Sequence, residues 1–227
     1  PAALQSEPVL TSWLTKKSGQ YARIYETLED QRNQNAVTTW NRGAGVQALP
    51  TYAGVHEISY TATNVFIRST GLGFHVMGPW YRNEEKDDLF RNYPANRAVT
   101  YRIPRTPTTP PNPKVATGLG AIGYFVDGIA MFDSRDAFSY SFDNGSDARP
   151  ESGFAGDGVW NRDAYTYESV TFDPANAHQA QSNHHYHANP PGLRHLLGDS
   201  VDYDDTSNAY TENFNGRHSP ILGWVSD

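Results

Sequence analysis

The chain has 227 residues, with 18 basic against 25 acidic side chains for a formal charge of −7, and it carries 14 tyrosines, 10 phenylalanines and 5 tryptophans but no cysteine. That length can bury one substantial core, the aromatic-rich composition suits a β-rich chain, and an acidic balance with no Lys/Arg run lacks the footprint of a nucleic-acid binder. No apolar stretch approaches the roughly eighteen residues of a membrane span, and without cysteine there is no disulfide, thiolate metal site or thiol nucleophile.

In chain order, the start "PAALQSEP" lacks methionine and reads as a mature product after signal removal or a trimmed one. Export to an extracellular or periplasmic space is the expectation, and Asn144-Gly145-Ser146 suits a surface loop. "LTSWLTKKSGQYARIYETL" opens as a strand or a short helix, and the polar run "EDQRNQNAVTTWNRGAG" reads as turn and loop. "HEISYTATNVFIRSTGLG" alternates β-branched and aromatic residues near period two, which predicts one or two strands, and "AVTYRIPRTP" predicts another. Residues 104–113, "PRTPTTPPNP", hold five prolines in ten residues and form an extended connector. The segments on either side are each too poor in strands to close a core alone, so residues 1–227 are expected to form a single domain. "GAIGYFVDGIAMFDSRDAFSY" reads as strand, Asp-Gly turn and strand, and residues 141–163 as loop. The fold class is mainly β: a single-domain β-sandwich or barrel-like fold with long loops.

Residues 183–195, "NHHYHANPPGLRH", concentrate four of the chain's eight histidines. In an extended strand alternate side chains share a face, so His185 and His187 point one way while His184 and Tyr186 point the other. Two imidazoles on one face suit a transition metal, and His178, seven residues before His185, can return to the same pocket through a turn. The alternatives are a polar surface strand or histidines that only hydrogen-bond within the fold. Donors of this kind favour copper, then zinc. Oxygen-rich loops carrying Asp143, Asp147 and Asp157, and Asp202, Asp204 and Asp205, could hold calcium, although they lack the spacing of a helix–loop–helix hand and read better as solvated loops. Gly71-Leu72-Gly73 is no dinucleotide fingerprint, because a third glycine and a following helix are missing. No Gly-x-Ser-x-Gly elbow supports a serine hydrolase.

The ordered segments "GAIGYFVDGIAMFDSRDA", "DPANAH", "HHYH" and "HSPILGW", with "VFIRSTGLGFHVMGPW" upstream, resemble the bacterial secreted YHYH-domain proteins from about Val55 onward. His184 stands where that motif has its first tyrosine, which leaves His185 and His187 intact. The cysteines of some members are replaced here by Ala175 and the "GLRH" segment. The resemblance implies a secreted, histidine-bearing domain and ranks the remaining histidines: His75 and His178 as third and fourth ligands, His218 as a ligand or a support to one, and His56 and His195 as ordinary surface residues. It also implies a C-terminal companion segment after Asp227, since the family continues into a further stretch. A mononuclear metalloenzyme, with Tyr186 or a nearby aspartate supporting proton transfer, and a closed metal-binding protein both fit these residues. An extracellular structural or adhesive module, whose histidines only stabilise the fold, is the alternative.

Overall fold

The structure is a computed structural model that describes residues 13–106 and 113–213, and the backbone of 223–225. A 3-10 turn at Lys16–Ser18 is followed by a short helix α1 (Leu28–Arg32) and the hairpin of β1 (Trp40–Arg42) with β2 (Gly45–Gln47). The expectation of plain loop across this polar run is corrected. Thr27 Oγ1 accepts from the Asp30 amide at 3.1 Å while its hydroxyl donates to Asp30 Oδ2 at 2.6 Å, a reciprocal cap that starts a helix in a sequence without an apolar period.

β3 (Val55–Tyr60), β4 (Asn64–Ser69) and β5 (Val99–Pro104) form an antiparallel sheet in which Ile67 lies opposite Ile58 on one side and Tyr101 on the other. Its inward residues Val55, Ile67 and Tyr101 pack with Trp13, and the outward Glu57 and Arg68 pair at 2.9 Å, the period-two division that one buried face produces. Residues 107–112 of the proline-rich connector lie outside the described residues. The segments before and after it share contacts: Tyr101 stacks on Tyr124 with centroids 3.6 Å apart, and the Trp80 indole donates to the Ala177 carbonyl at 2.9 Å.

β6 (Ala121–Phe125) and β7 (Ala130–Phe132) are joined by the expected Asp-Gly turn. Gly128 has φ 80°, and a Cβ there would sit 2.3 Å from Ser69 Oγ, so no other residue fits without displacing β4. β8 (Arg135–Ser141) pairs with the short β9 (Ser146–Asp147) and β10 (Asn161–Asp163), which leads into α2 (Ala164–Glu168). The stretch expected as loop thus contains two brief strands. β11 (Ala177–Ala180) and β12 (Asn183–Tyr186) form a tight hairpin, followed by α3 (Pro191–Leu196), the hairpin β13 (Val201–Asp204) with β14 (Ala209–Glu212), and β15 (Gly223–Val225).

The central sheet has the order β11-β12-β7-β6-β15. All its pairings are antiparallel except β12 with β7, where His185 aligns with Ala130 and Tyr186 with Met131. The chain is mainly β, as its alternation and aromatics imply, but it is built from several small sheets with no closed barrel. Two further clusters fill the interior, one around Ile24, Leu72, Met77 and Trp80 and one around Phe125, Ile129, Tyr186 and Leu193, with Leu14 packed against both.

Candidate metal centre

The hairpin β11–β12 sets the site. Antiparallel register places His178 directly opposite His185, and residues facing one another across such a pair project from the same face. His187, two residues beyond His185, joins them just past the strand end. The three rings lie close: centroids are 4.6 Å apart for His178 and His185, 4.8 Å for His185 and His187, and 5.4 Å for His178 and His187. Phe132 of the neighbouring β7 stacks on His185 at 3.8 Å and holds its plane. His178 and His185 are buried and His187 half-buried.

The Nδ1 atoms of all three rings are engaged. His185 Nδ1 lies 2.8 Å from the Asn183 carbonyl and His187 Nδ1 2.6 Å from the Asp133 carbonyl. A carbonyl oxygen can only accept, so both Nδ1 atoms carry the proton. His178 Nδ1 lies 2.8 Å from Thr171 Oγ1, whose own proton goes to the Glu168 carbonyl at 2.7 Å; Thr171 must therefore accept, and this Nδ1 is also protonated. Burial pushes the His178 imidazole down to about 4, holds His185 well below the ordinary histidine range, and lowers His187 as well, so the rings are neutral near pH 7. A neutral imidazole has one donor and one acceptor nitrogen. All three Nε2 atoms are then bare lone pairs, and those of His185 and His187 stand only 3.0 Å apart.

Glu168, the last residue of α2, completes the group. Asp163 caps this helix by accepting from the Thr166 amide at 2.8 Å, and the turn that follows lowers the helix end over the sheet. Glu168 Oε2 reaches to 3.3 Å from His178 Nε2 and 3.4 Å from His187 Nε2. Burial, with the neighbouring Asp136 carboxylate, pushes the Glu168 carboxyl up to about 8. Asp136 itself is held by the buried Arg162 guanidinium. Donors about 2.0–2.2 Å from a tetrahedral ion lie roughly 3.3–3.6 Å from each other; the three imidazoles have ligand atoms within 4.8 Å of one another, and Glu168 Oε2 stands near two of them, His178 and His187. A cavity of about 1140 Å³ opens over the group, and Arg82, Arg91, Arg135, Arg149 and Arg162 contribute to its wall.

The other expected residues fall elsewhere. His75 does not join His178, His185 and His187; the turn that bears it packs on the opposite side of β12, against His184. Tyr186 is fully buried on that side, and its hydroxyl donates to Asp127 Oδ2 at 3.2 Å, so it cannot serve proton transfer at the three-histidine face. His218 lies outside the described residues. His56 is tied to the Tyr52 carbonyl at 2.9 Å and His195 to that of Val201 at 2.7 Å. Among the described residues the acidic loops bring no three carboxylates together. Asp204 accepts from Thr206 and Ser207 of its own turn, and Asp157 from the Phe142 amide. Glu168 and Thr171 were not singled out from the sequence, where the segment that carries them reads as featureless.

No helix among the described residues is long and apolar enough to cross a membrane. Neither the curated proteins nor the solved structures include a significant match. The family model described as "YHYH protein" matches residues 100–227, which takes in the β11–β12 hairpin with His178, His185 and His187 but not the upstream turn with His75. The chain belongs to the YHYH protein family.

Proposed function

We propose that this protein binds a divalent transition-metal ion through the Nε2 atoms of His178, His185 and His187, with Glu168 as a fourth oxygen donor. The observation that carries the reading is the set of three protonated Nδ1 atoms, which turns three lone pairs toward one point. Two neutral acceptors 3.0 Å apart repel unless a cation lies between them, and the pattern of outer N–H groups donated to protein oxygens is the one that orients histidine ligands on a metal. A fold-stabilising role alone leaves this convergence without a purpose. Imidazole and carboxylate donors without sulfur suit zinc and copper(II).

The cavity extends the reading toward catalysis. An ion at this point borders a space large enough for a small molecule; of the five arginines in its wall Arg82, Arg135 and Arg162 pair with Asp88, Asp133 and Asp136, and among the described residues Arg91 and Arg149 have no carboxylate partner and supply its positive charge, in a chain whose formal charge is −7. A mononuclear centre that takes a small anionic substrate fits that wall better than a sealed storage site, and Glu168, whose carboxyl is raised to about 8 by burial and Asp136, would be placed to exchange a proton with a substrate held there. We place the protein outside the cytoplasm, a reading supported by the exposed turn at Asn144-Gly145-Ser146.

The test is a titration of chelator-treated protein with zinc(II) and copper(II) against a competing chelator. His185→Ala and His187→Ala are expected each to abolish one tight equivalent. Wild-type stoichiometry and affinity in both variants would remove the site.

A further inference from the structure

The opposite face of β12 carries a second cluster. His184 points there by strand alternation, His75 reaches it from the turn after β4, and Asp173 comes from the turn that precedes β11. One ligand atom from each lies within 4.8 Å of the others, and the closest pair, His75 Nε2 and Asp173 Oδ2, is 3.6 Å apart. All three residues are buried, at 4%, 3% and 1% exposure for His75, Asp173 and His184. Neither ring nitrogen of His75 nor of His184 has a hydrogen-bond partner among the described residues. Buried polar atoms without a partner carry an uncompensated desolvation penalty, and a ligand that engages one nitrogen of each ring relieves part of it.

Asp173 is oriented as a ligand would be. Its Oδ1 accepts from the Ala175 and Ala177 amides at 3.0 and 3.1 Å and its Oδ2 from the Gly78 amide at 2.9 Å, which fixes the carboxylate and leaves Oδ2 a lone pair toward the imidazoles. Among the described residues it has no Lys or Arg partner to balance its charge, which a buried carboxylate needs. The Gly71-Leu72-Gly73 turn also finds its role. A Cβ on Gly73 would lie 2.6 Å from His75 Cε1 and 2.7 Å from its Nδ1, so only glycine lets the ring lie where it does. Trp80, itself fully buried, meets the His184 ring edge-on at 5.8 Å.

We infer that His75, Asp173 and His184 bind a second divalent transition-metal ion, buried between the turn after β4 and the β11–β12 hairpin. Two imidazoles and one carboxylate suit zinc, iron(II) or manganese(II). The ion neutralises Asp173, engages one ring nitrogen of each imidazole, and clamps the turn at residues 71–77 to the central sheet. This site shares no ligand with the one on the other face.

Zinc(II) is the probe. Wild-type apoprotein is expected to take up two tight equivalents in competition with a chromophoric chelator, and a His185→Ala/His187→Ala double variant to keep one. Crystals of that variant should show zinc-edge anomalous density between His75, Asp173 and His184. If wild type binds one equivalent and the double variant none, the buried site is overturned while the cavity site stands. If the single equivalent survives in the double variant with density at the buried cluster, the buried site stands and the cavity reading falls. Anomalous density elsewhere in the double variant, or no tight binding by wild type, overturns the inference. A His184→Gln variant that folds should lose one equivalent of the two; retention of both would equally overturn it.

Discussion

Thr171 and Glu168 act on opposite ends of one imidazole. The threonine hydroxyl fixes the proton on His178 Nδ1, and the Glu168 carboxylate stands 3.3 Å from Nε2. Thr171→Val keeps the shape and removes the acceptor, so His178 loses its reason to present a bare Nε2. Zinc affinity at the cavity should fall about 10–100-fold with little change in Tm, measured by chelator competition and thermal unfolding; an unchanged affinity would show that the tautomer is set otherwise. Glu168→Gln should weaken zinc binding without abolishing it, because three imidazoles remain. At this scale the sequence shows His185 and His187 directly, since strand alternation links residues two apart, and His178 through one turn. Nothing in the spacing joins Glu168 to His187: they meet only because α2 descends on the sheet. His75 is visible as a ligand type but assigned to the wrong group, because a sequence does not say which face of a sheet a distant turn covers.

The β11–β12 hairpin carries donors for both clusters, and its turn is held under strain. Gln181 has φ 56°, a left-handed conformation that costs an ordinary L-residue roughly 1–2 kcal/mol and a β-branched one more. Gln181→Val should therefore lower unfolding free energy by about 1–2 kcal/mol or more and, by disturbing the register that sets His178 opposite His185, weaken zinc binding as well. Gln181→Gly relieves that strain but loosens the unfolded chain by about 0.5–1 kcal/mol, so it should keep or slightly raise stability and leave zinc binding unchanged. Denaturant titrations with and without zinc check this, and a valine variant as stable as wild type would contradict it. Hairpins of this kind are legible in the sequence: β3–β4 and β6–β7 follow from alternation and turn residues. The parallel pairing of β12 with β7 is not, since it joins residues more than fifty positions apart and no local pattern encodes it. The short β9 and β10 are equally hidden, as two or three residues hold no period.

At the scale of the whole molecule, the two clusters tie stability to pH. Burial lowers four imidazoles: His178 to about 4, His184 to about 3, His185 well below its ordinary value, and His187 less far. In the unfolded chain each titrates near the ordinary value of about 6.5. As pH falls below that, the unfolded state takes up these protons first, so metal-free protein loses stability until the folded-state values are passed. Two buried carboxyls oppose this. Burial raises Asp127 to about 6, and burial with Asp136 raises Glu168 to about 8, so for these the folded state is protonated first and stability rises as pH falls toward the ordinary carboxylate range. From pH 8 down to about 6.5 Glu168 acts alone and adds about 1–2 kcal/mol; below about 6.5 four imidazoles outweigh two carboxyls. Metal-free protein should thus be most stable near neutrality and its Tm should drop between about pH 6.5 and 4. On the proposed reading zinc binds the folded state more tightly than the unfolded chain and adds up to RT ln(1 + [zinc]/Kd), so at saturating zinc the drop should begin at lower pH, until protons displace the ion from the imidazoles. Thermal scans from pH 8 to 4, in chelator and in excess zinc, decide it: a flat chelator profile from pH 6.5 to 4 would mean that these histidines are not buried as neutral rings, and coincident profiles would mean that no ion depends on them.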